Sequence, residues 1–275
     1  MTDTQTIAAA LVEARKRAAP VDAFPGEIPP TLETAYAVQH AGVTLRGEKV
    51  IGFKVGGIPE KWRDQYKSPW LAGPVFQSEF HTVENGGSID VPVFKGGFAA
   101  YEPELVMILE GLDGLDAPVD TIDLALKYVN DVHIGAEIAS SPRLDVNERG
   151  PGSIISDFGT QGGLVLGPSV GREVLRQFSS LRVTLDIDGE RIGDAYPNEG
   201  EGGPLGALRF LLNHFREYGQ HYDLTGSVYF TSGAITGVHQ SHVGTSCKMN
   251  YEGLGSFELN MTARPIQTSE LEHVS

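Results

Sequence analysis

Three glutamates carry the strongest chemical signal in this 275-residue chain. Glu102 and Glu104 stand two residues apart in the apolar run AAYEPELVMIL, with Pro103 between them. If the run is a strand, both carboxylates point to one face. Like charges so placed repel, and each resists burial. Glu137 lies in DVHIGAEIAS, where Val132, Ile134, Ala136 and Ile138 alternate with Asp131, His133, Gly135 and Glu137. It therefore belongs to the less apolar face of its strand, with Gly135 leaving room beside it. Converging from two strands, the three carboxylates would form an all-oxygen site for a hard divalent ion, Mg²⁺ or Mn²⁺, and the cation would remove the repulsion. The competing reading puts Glu102 and Glu104 on an exposed edge strand, which Pro103 also tolerates. On spacing alone this is the commoner case, because carboxylates usually sit at the surface.

Lys54, in VIGFKVGG, is a lysine inside an apolar, glycine-flanked strand. Burial would lower its pKa and make it an acid or base, or a partner for a substrate carboxylate; the alternative is a side chain that snorkels to solvent. The run GPSVG at 167–171 matches the G-x-S-x-G nucleophile elbow, with Asp223 and His239 later in the chain. The strand–helix alternation of a hydrolase is missing around it, and Pro168 fits a plain turn. His239 and His242 read as polar turn residues rather than a metal pair. DIDGE lacks the remaining ligands of an EF-hand.

These residues need elements to position them. Residues 5–18 read as an amphipathic helix and TLETAYAVQHAGVTLRGE as a second, followed by the Lys54 strand. Residues 58–73, charged and bearing Trp62 and Trp70, read as a loop that could act as a lid. From residue 74 the chain reads as short strands and turns, with Asp188-Gly189 a hairpin signal and helices at 120–128 and in PLGALRFLLNHFREYG. The expected organisation is α+β and β-rich: a helical N-terminal segment with first strand and lid loop at 1–73, and a β-rich metal-binding domain at 74–275. Net charge is −15, which argues against nucleic acid or an anionic membrane as a partner. The single cysteine, Cys247, excludes an internal disulfide and fits a reducing compartment. The N-terminal charge order is the reverse of a secretory signal, and no apolar stretch is long enough to span a bilayer, so a cytoplasmic location is expected.

In order along the chain, TAYAVQ, IGFKVGG, EPELVMIL, VHIGAEIASSP, ISDFGTQGGLVLG and DLTGSVYFTSGAITG resemble the fumarylacetoacetate hydrolase superfamily, in its 2-keto-4-pentenoate hydratase and 4-oxalocrotonate decarboxylase branch. The resemblance implies mixed rolled β-sheets with a metal at their open end, in a homo-oligomer. It implies Glu102, Glu104 and Glu137 as ligands of Mg²⁺ or Mn²⁺, and Lys54 and Asp157 as catalytic residues. Gln161, Ser232 and Gly233 are implied as substrate contacts, and Gln39 is matched without a role. PVFQSEF and ASSPR depart from the pattern of the branch, at positions expected near the substrate end.

The implied chemistry acts on a small 2-oxoacid. Hydration of a 2-hydroxy-2,4-dienoate to a 4-hydroxy-2-oxoacid is the leading expectation, with 4-oxalocrotonate-type decarboxylation or acylpyruvate C–C hydrolysis as alternatives. A catalytically silent oxoacid-binding relative is a further one, against which stands the retention of Lys54 together with all three glutamates.

Overall fold

The computed structural model describes residues 3–266. Helix α1 (Asp3–Arg17) begins on an acid and ends on Arg15, Lys16 and Arg17, which complements its dipole, and buries Ile7 and Leu11 against α2 (Leu32–Arg46). The start of α2 is fixed by a capping box between Thr31 and Thr34, and its end by Gly47 in a left-handed conformation.

Strand β1 (Val50–Gly57) then enters the larger sheet. Helix α3 (Glu60–Tyr66) leads into β2 (Trp70–Phe76), which returns antiparallel to β1. Next come β3 (Phe80–Thr82), β4 (Ser88–Val93), the long β5 (Phe98–Leu109), the one-turn α4 (Ile122–Ala125) and β6 (Val129–Ser141). Helix α5 (Pro151–Ser156) precedes β7 (Gln161–Ser169), β8 (Val183–Ile187) and β9 (Glu190–Ala195). Helix α6 (Gly203–Tyr218), β10 (Val228–Thr231), β11 (His239–Gln240), β12 (Ser246–Tyr251) and β13 (Gly255–Ala263) complete the chain.

Two sheets result. The larger runs β2-β1-β10-β5-β6-β7-β3, with β11 also pairing to β5, and the smaller runs β4-β13-β12-β8-β9. The principal core lies between them: Leu105, Met107, Ile134 and Ile138 from one sheet join Leu185, Met249, Phe257 and Leu259 from the other. The fold is thus the expected α+β arrangement of curled mixed sheets with a small helical N-terminal part. The β8–β9 hairpin turns through Asp188 and Gly189, both at positive φ (50° and 85°), as the Asp-Gly signal predicts.

Strand β5 is central rather than an edge, which overturns the surface reading of its glutamates. Pro103 is accommodated because the ladder is interrupted on one side: β10 pairs with Val106 to Leu109 and β11 with Ala100 and Tyr101. Across the gap the Pro103 carbonyl accepts from Ile235 N (2.9 Å), so the missing N–H faces a loop and costs no ladder bond. The expected boundary at residue 73 falls inside β2 and cuts through the larger sheet, which runs unbroken across it; the last nine residues of the expected second domain lie outside the described residues. Nor are residues 58–73 a loop. They form α3 and most of β2, with Ile58, Tyr66 and Leu71 buried in a satellite core, and Trp62 packs where a Cβ on Gly150 would stand 2.7 Å away. Among the described residues no helix is long and apolar enough to cross a membrane.

Candidate metal centre and adjoining cavity

Pairing of β5 with β6 sets Glu102 directly opposite Glu137 and Glu104 opposite Gly135. Alternation puts Leu105 and Met107 into the core and turns all three carboxylates to the other face. A glycine is required at 135, because a Cβ there would stand 2.4 Å from the Val165 carbonyl oxygen and 2.5 Å from Val106. Tyr251, reaching from β12, clips the two strands at this point: its hydroxyl donates to the Gly135 carbonyl and accepts from Glu104 N (3.1 Å). Gly233 N donates to Glu104 Oε2 (2.6 Å), which brings the turn after β10 to the triad.

Lys54 arrives from β1. Its Cα is in register with Thr231, which is in register with Val106, so Lys54, Thr231 and the glutamates share one sheet face. Lys54 Nζ lies 3.0 Å from Glu137 Oε1, and both residues are buried. Burial alone would push the lysine down, but the charges of Glu137, Glu102 and Glu104 outweigh it and hold it above its ordinary value. Burial drives the carboxyls up: Glu102 to about 8, with the charge of Glu137 adding and Lys54 opposing. Glu104 is raised further by burial and by both neighbouring carboxylates, while Glu137 is raised by burial against the pull of Lys54.

One ligand oxygen from each glutamate lies within 4.8 Å of the others. Glu104 Oε1 and Glu137 Oε2 are buried without a hydrogen-bond partner. Three carboxyls face one ammonium, and two oxygens are orphaned. A hard divalent cation supplies what both lack, so the residues present fit Mg²⁺ or Mn²⁺.

Beside the triad a cavity of about 330 Å³ opens, lined at this end by Lys54, Glu102, Thr160, Ser232 and Gly233. The lysine rests on a strained turn, Phe158-Gly159-Thr160, in which all three residues have positive φ (55°, 69° and 61°). A Cβ on Gly159 would stand 3.0 Å from Lys54 Cδ, and one on Gly73 would stand 2.2 Å from the Phe158 carbonyl oxygen. Both glycines allow the turn to press against β2 and the lysine stem.

The other expected residues divide. Ser232 and Gly233 line the cavity. Gln161 is buried on the triad face, paired to Ala139 two residues beyond Glu137, with both amide atoms unpartnered, yet it does not line the cavity. Asp157 does not reach the site: it is fully buried and accepts from Arg15 Nε at 2.6 Å, an anchor between α1 and the strained turn. Its expected catalytic role is corrected accordingly. Gln39 donates to the Ala72 and Ile155 carbonyls (3.1 and 2.9 Å) and ties α2 to β2 and α5. The departures in PVFQSEF and ASSPR lie away from the cavity. Glu79 of the first is a buried hub for Arg264 (2.9 Å), Arg46 (3.2 Å) and Arg15 (4.0 Å), and Ser140 of the second bonds the Phe94 and Phe98 backbone.

Sequence reasoning missed Thr231, Tyr251, Asn147 and Asn198. The hydroxyl of Thr231, adjacent to the expected Ser232, is buried and unpartnered on the triad face; the strand period alone could have marked it. Tyr251 and the asparagines reach the site through tertiary packing and left no local signal. Ser169 of GPSVG ends β7, with its hydroxyl on Asp131 (2.8 Å), and His239 bonds Thr236. Neither forms a nucleophile elbow or a metal pair.

No protein-family model and no curated protein matches the chain. Solved structures match it over three quarters of its length or more. 4-Oxalocrotonate decarboxylase from Pseudomonas putida G7, complexed with calcium and acetate, has a TM-score of 0.73 at 19% identity, over 94% of this chain and 96% of its own. The same enzyme complexed with magnesium and adipate has a TM-score of 0.71 at 20% identity, over 94% and 97%. Fumarylpyruvate hydrolase from Pseudomonas aeruginosa, complexed with Mn²⁺ and pyruvate, has a TM-score of 0.53 at 14% identity, over 77% and 89%. Identities of this size speak to the fold. In this chain the ordered motifs and the strand topology converge on the fumarylacetoacetate hydrolase-like fold.

Proposed function

We propose that the protein is a divalent-metal-dependent hydro-lyase that adds water to a 2-hydroxy-2,4-dienoate to give a 4-hydroxy-2-oxoacid. The observation that carries this is the placement of Glu102, Glu104 and Glu137 with Lys54 on one sheet face, at the end of a cavity large enough for a small oxoacid. The three glutamates would hold Mg²⁺ or Mn²⁺, which when bound supplies Lewis-acid polarisation of a 2-oxo group beside its carboxylate.

The chain's own groups do the rest. Among the lining residues described, Lys54 and Glu102 are the ionisable ones, and Lys54 is the proton carrier: ketonisation delivers a proton to C5, water adds at C4, and C3 takes the last proton. Ser232 and the Gly233 backbone orient the head of the substrate, and Gln161 and Thr231 offer unpartnered polar atoms on the triad face. The buried position of Lys54 keeps bulk water from competing for its proton.

Decarboxylation of a 2-oxo-enedioate is the second reading, favoured by the match to a decarboxylase over 94% of the chain. An assay with Mg²⁺ or Mn²⁺ against a 2-hydroxypentadienoate, an oxalocrotonate and an acylpyruvate separates the branches. Loss of dienol absorbance with a hydroxy-oxoacid product supports hydration. Release of CO₂, or of pyruvate with a free acid, replaces it with decarboxylation or C–C hydrolysis. Binding of the oxoacid without turnover of any of the three would mark a silent relative. The same reading carries a homo-oligomer, which light scattering checks.

A further inference from the structure

The cavity has a direction. From Lys54 it follows β1 to Gly56 and Gly57, and from Glu102 it follows β5 back to Phe98. β5 is antiparallel to β10, which is parallel to β1, so these are the same direction across the sheet. The connection after β6, which contributes Asn147, leaves the sheet at this edge too. One end of the cavity is therefore charged, and the other is a separate wall.

That wall is apolar with two neutral amides. Trp70, Leu71, Pro197, Pro204 and Val238 supply its apolar surface, and Asn147 and Asn198 its polar side chains. The Asn198 Oδ1 accepts from Gly200 N (2.7 Å), so its amide N–H groups are what this side chain has left to offer a ligand. Among the described residues, Lys54 is the only cationic side chain lining the cavity, and it is engaged with Glu137 at the opposite end. The rim segment next to Asn198 carries Glu199 and Glu201. Arg63 on α3 is already committed, donating to Glu201 (2.8 Å) and to the Ile58 carbonyl (2.8 Å).

We propose that the site takes a substrate with a single carboxylate, at the 2-oxoacid head, and an uncharged tail, and that the Trp70–Leu71–Asn198 wall sets this choice. The proposal rests on the reading of the triad end as a metal-dependent 2-oxoacid site and narrows its substrate class. A second carboxylate at the tail would leave water for a wall with no cation to meet it, near Glu199 on the rim, in a protein of net charge −15. A methyl or methylene tail loses nothing there and gains contact with Trp70 and Leu71. A neutral oxygen on the tail finds the Asn147 and Asn198 amides.

The test is calorimetric titration of the Mg²⁺-loaded protein with pyruvate, 2-oxohexanoate and 2-oxohexanedioate, the last two matched in length and differing only in the tail group. 2-Oxohexanoate is expected to bind about 10–100-fold more tightly than 2-oxohexanedioate. If pyruvate binds in a Mg²⁺-dependent way and the dicarboxylate binds as tightly as 2-oxohexanoate or more so, the tail proposal is overturned while the metal-site reading stands. If pyruvate shows no Mg²⁺-dependent binding, the 2-oxoacid reading itself falls, and the proposal with it. Asn198→Arg places a cation at the exposed tail wall and should raise the affinity ratio of dicarboxylate to 2-oxohexanoate about tenfold. An unchanged ratio in the folded variant removes Asn198 from the wall that selects.

Discussion

Lys54 Nζ stands 3.0 Å from Glu137 Oε1 inside a face that also buries Glu102 and Glu104. One ammonium meets three carboxylates, so the site is built with a deficit of positive charge that folding alone does not correct. Such an arrangement lowers the stability of the metal-free protein.

That deficit gives the first prediction. Glu102 makes no hydrogen bond that would be lost on substitution, so Glu102→Gln removes repulsion and desolvation at little cost. Without added metal the variant should melt about 2–4 °C above the parent, equivalent to about 1 kcal/mol. With Mg²⁺ or Mn²⁺ the parent should gain stability by mass action and the variant should not. Thermal melts with and without the ion check both; a variant that still responds to metal like the parent would remove Glu102 from the ligand set.

Metal binding should also release protons. Without a cation, burial raises all three carboxyls, with repulsion adding at Glu102 and Glu104 and Glu102 reaching about 8, so at neutral pH the site holds protons that must leave when the ion enters. Affinity should therefore rise with pH through neutrality. Titrations in two buffers of different ionisation enthalpy should give apparent binding enthalpies that differ by the protons released, and identical enthalpies would contradict the buried, proton-bearing triad.

Much of this geometry was readable in the chain itself, and where it was not the reason is physical. The alternation around Glu137 and the E-x-E spacing fixed which residues share a face, because the strand period is local. The edge reading of β5 failed because nothing near Pro103 in sequence reveals that the ladder opens there, with the loop at Ser232–Ile235 filling the gap. The role of Asp157 was misjudged for the same kind of reason: its partner, Arg15, is 142 residues away. Residues 58–73 looked like a lid because charges and tryptophans mark both loops and short amphipathic elements, and only packing against Ile58 and Tyr66 decides between them.

The correction at Asp157 is itself testable. Asp157→Asn leaves the Arg15 guanidinium buried with its carbonyl partners and with only the more distant Glu79 (4.0 Å) as counter-ion, and should cost about 3 kcal/mol. Denaturant unfolding measures that loss. Turnover per folded molecule should stay within a few-fold of the parent, and Arg15→Met combined with Asp157→Asn should recover part of the stability. A loss of turnover beyond about 10²-fold in folded protein would return Asp157 to the reacting groups.

Gly159 should separate proton transfer from metal binding. Its φ of 69° and the 3.0 Å approach of a Cβ to Lys54 Cδ mean that Gly159→Ala strains the turn by about 1–2 kcal/mol and displaces the lysine. The glutamates are untouched. Metal affinity by calorimetry should be retained, while kcat falls on the order of 10²-fold for a shift near 1 Å. Equal losses in metal affinity and kcat would mean that the turn supports the whole site rather than the lysine.

A loss of stability in acid should arise far from the triad. His40 on α2 and His214 on α6 are buried among Tyr36, Tyr218 and His221. Burial first, then the charge of a neighbouring histidine, lowers His40 to about 4 and His214 to about 3. In the unfolded chain both titrate near 6.5. Between those values the unfolded state binds more protons at these two histidines, so their contribution to stability should fall as pH drops below about 6.5 and continue falling towards 4. The raised triad carboxyls act with the opposite sign until a metal ion displaces their protons. Glu79 adds a second loss at lower pH: burial pushes its carboxyl up, but Arg264, Arg46 and Arg15 outweigh it, so the folded value lies below the unfolded one. Its contribution is present above the ordinary carboxylate range and disappears as pH falls through the folded value. His214→Phe keeps an aromatic ring against Tyr36 and removes one titrating group, so it should flatten the decline between pH 6.5 and 4 while leaving the steeper loss below it. Melting temperatures across pH 3.5–8 for parent and variant decide the matter, since parallel curves would place the acid sensitivity elsewhere in the fold.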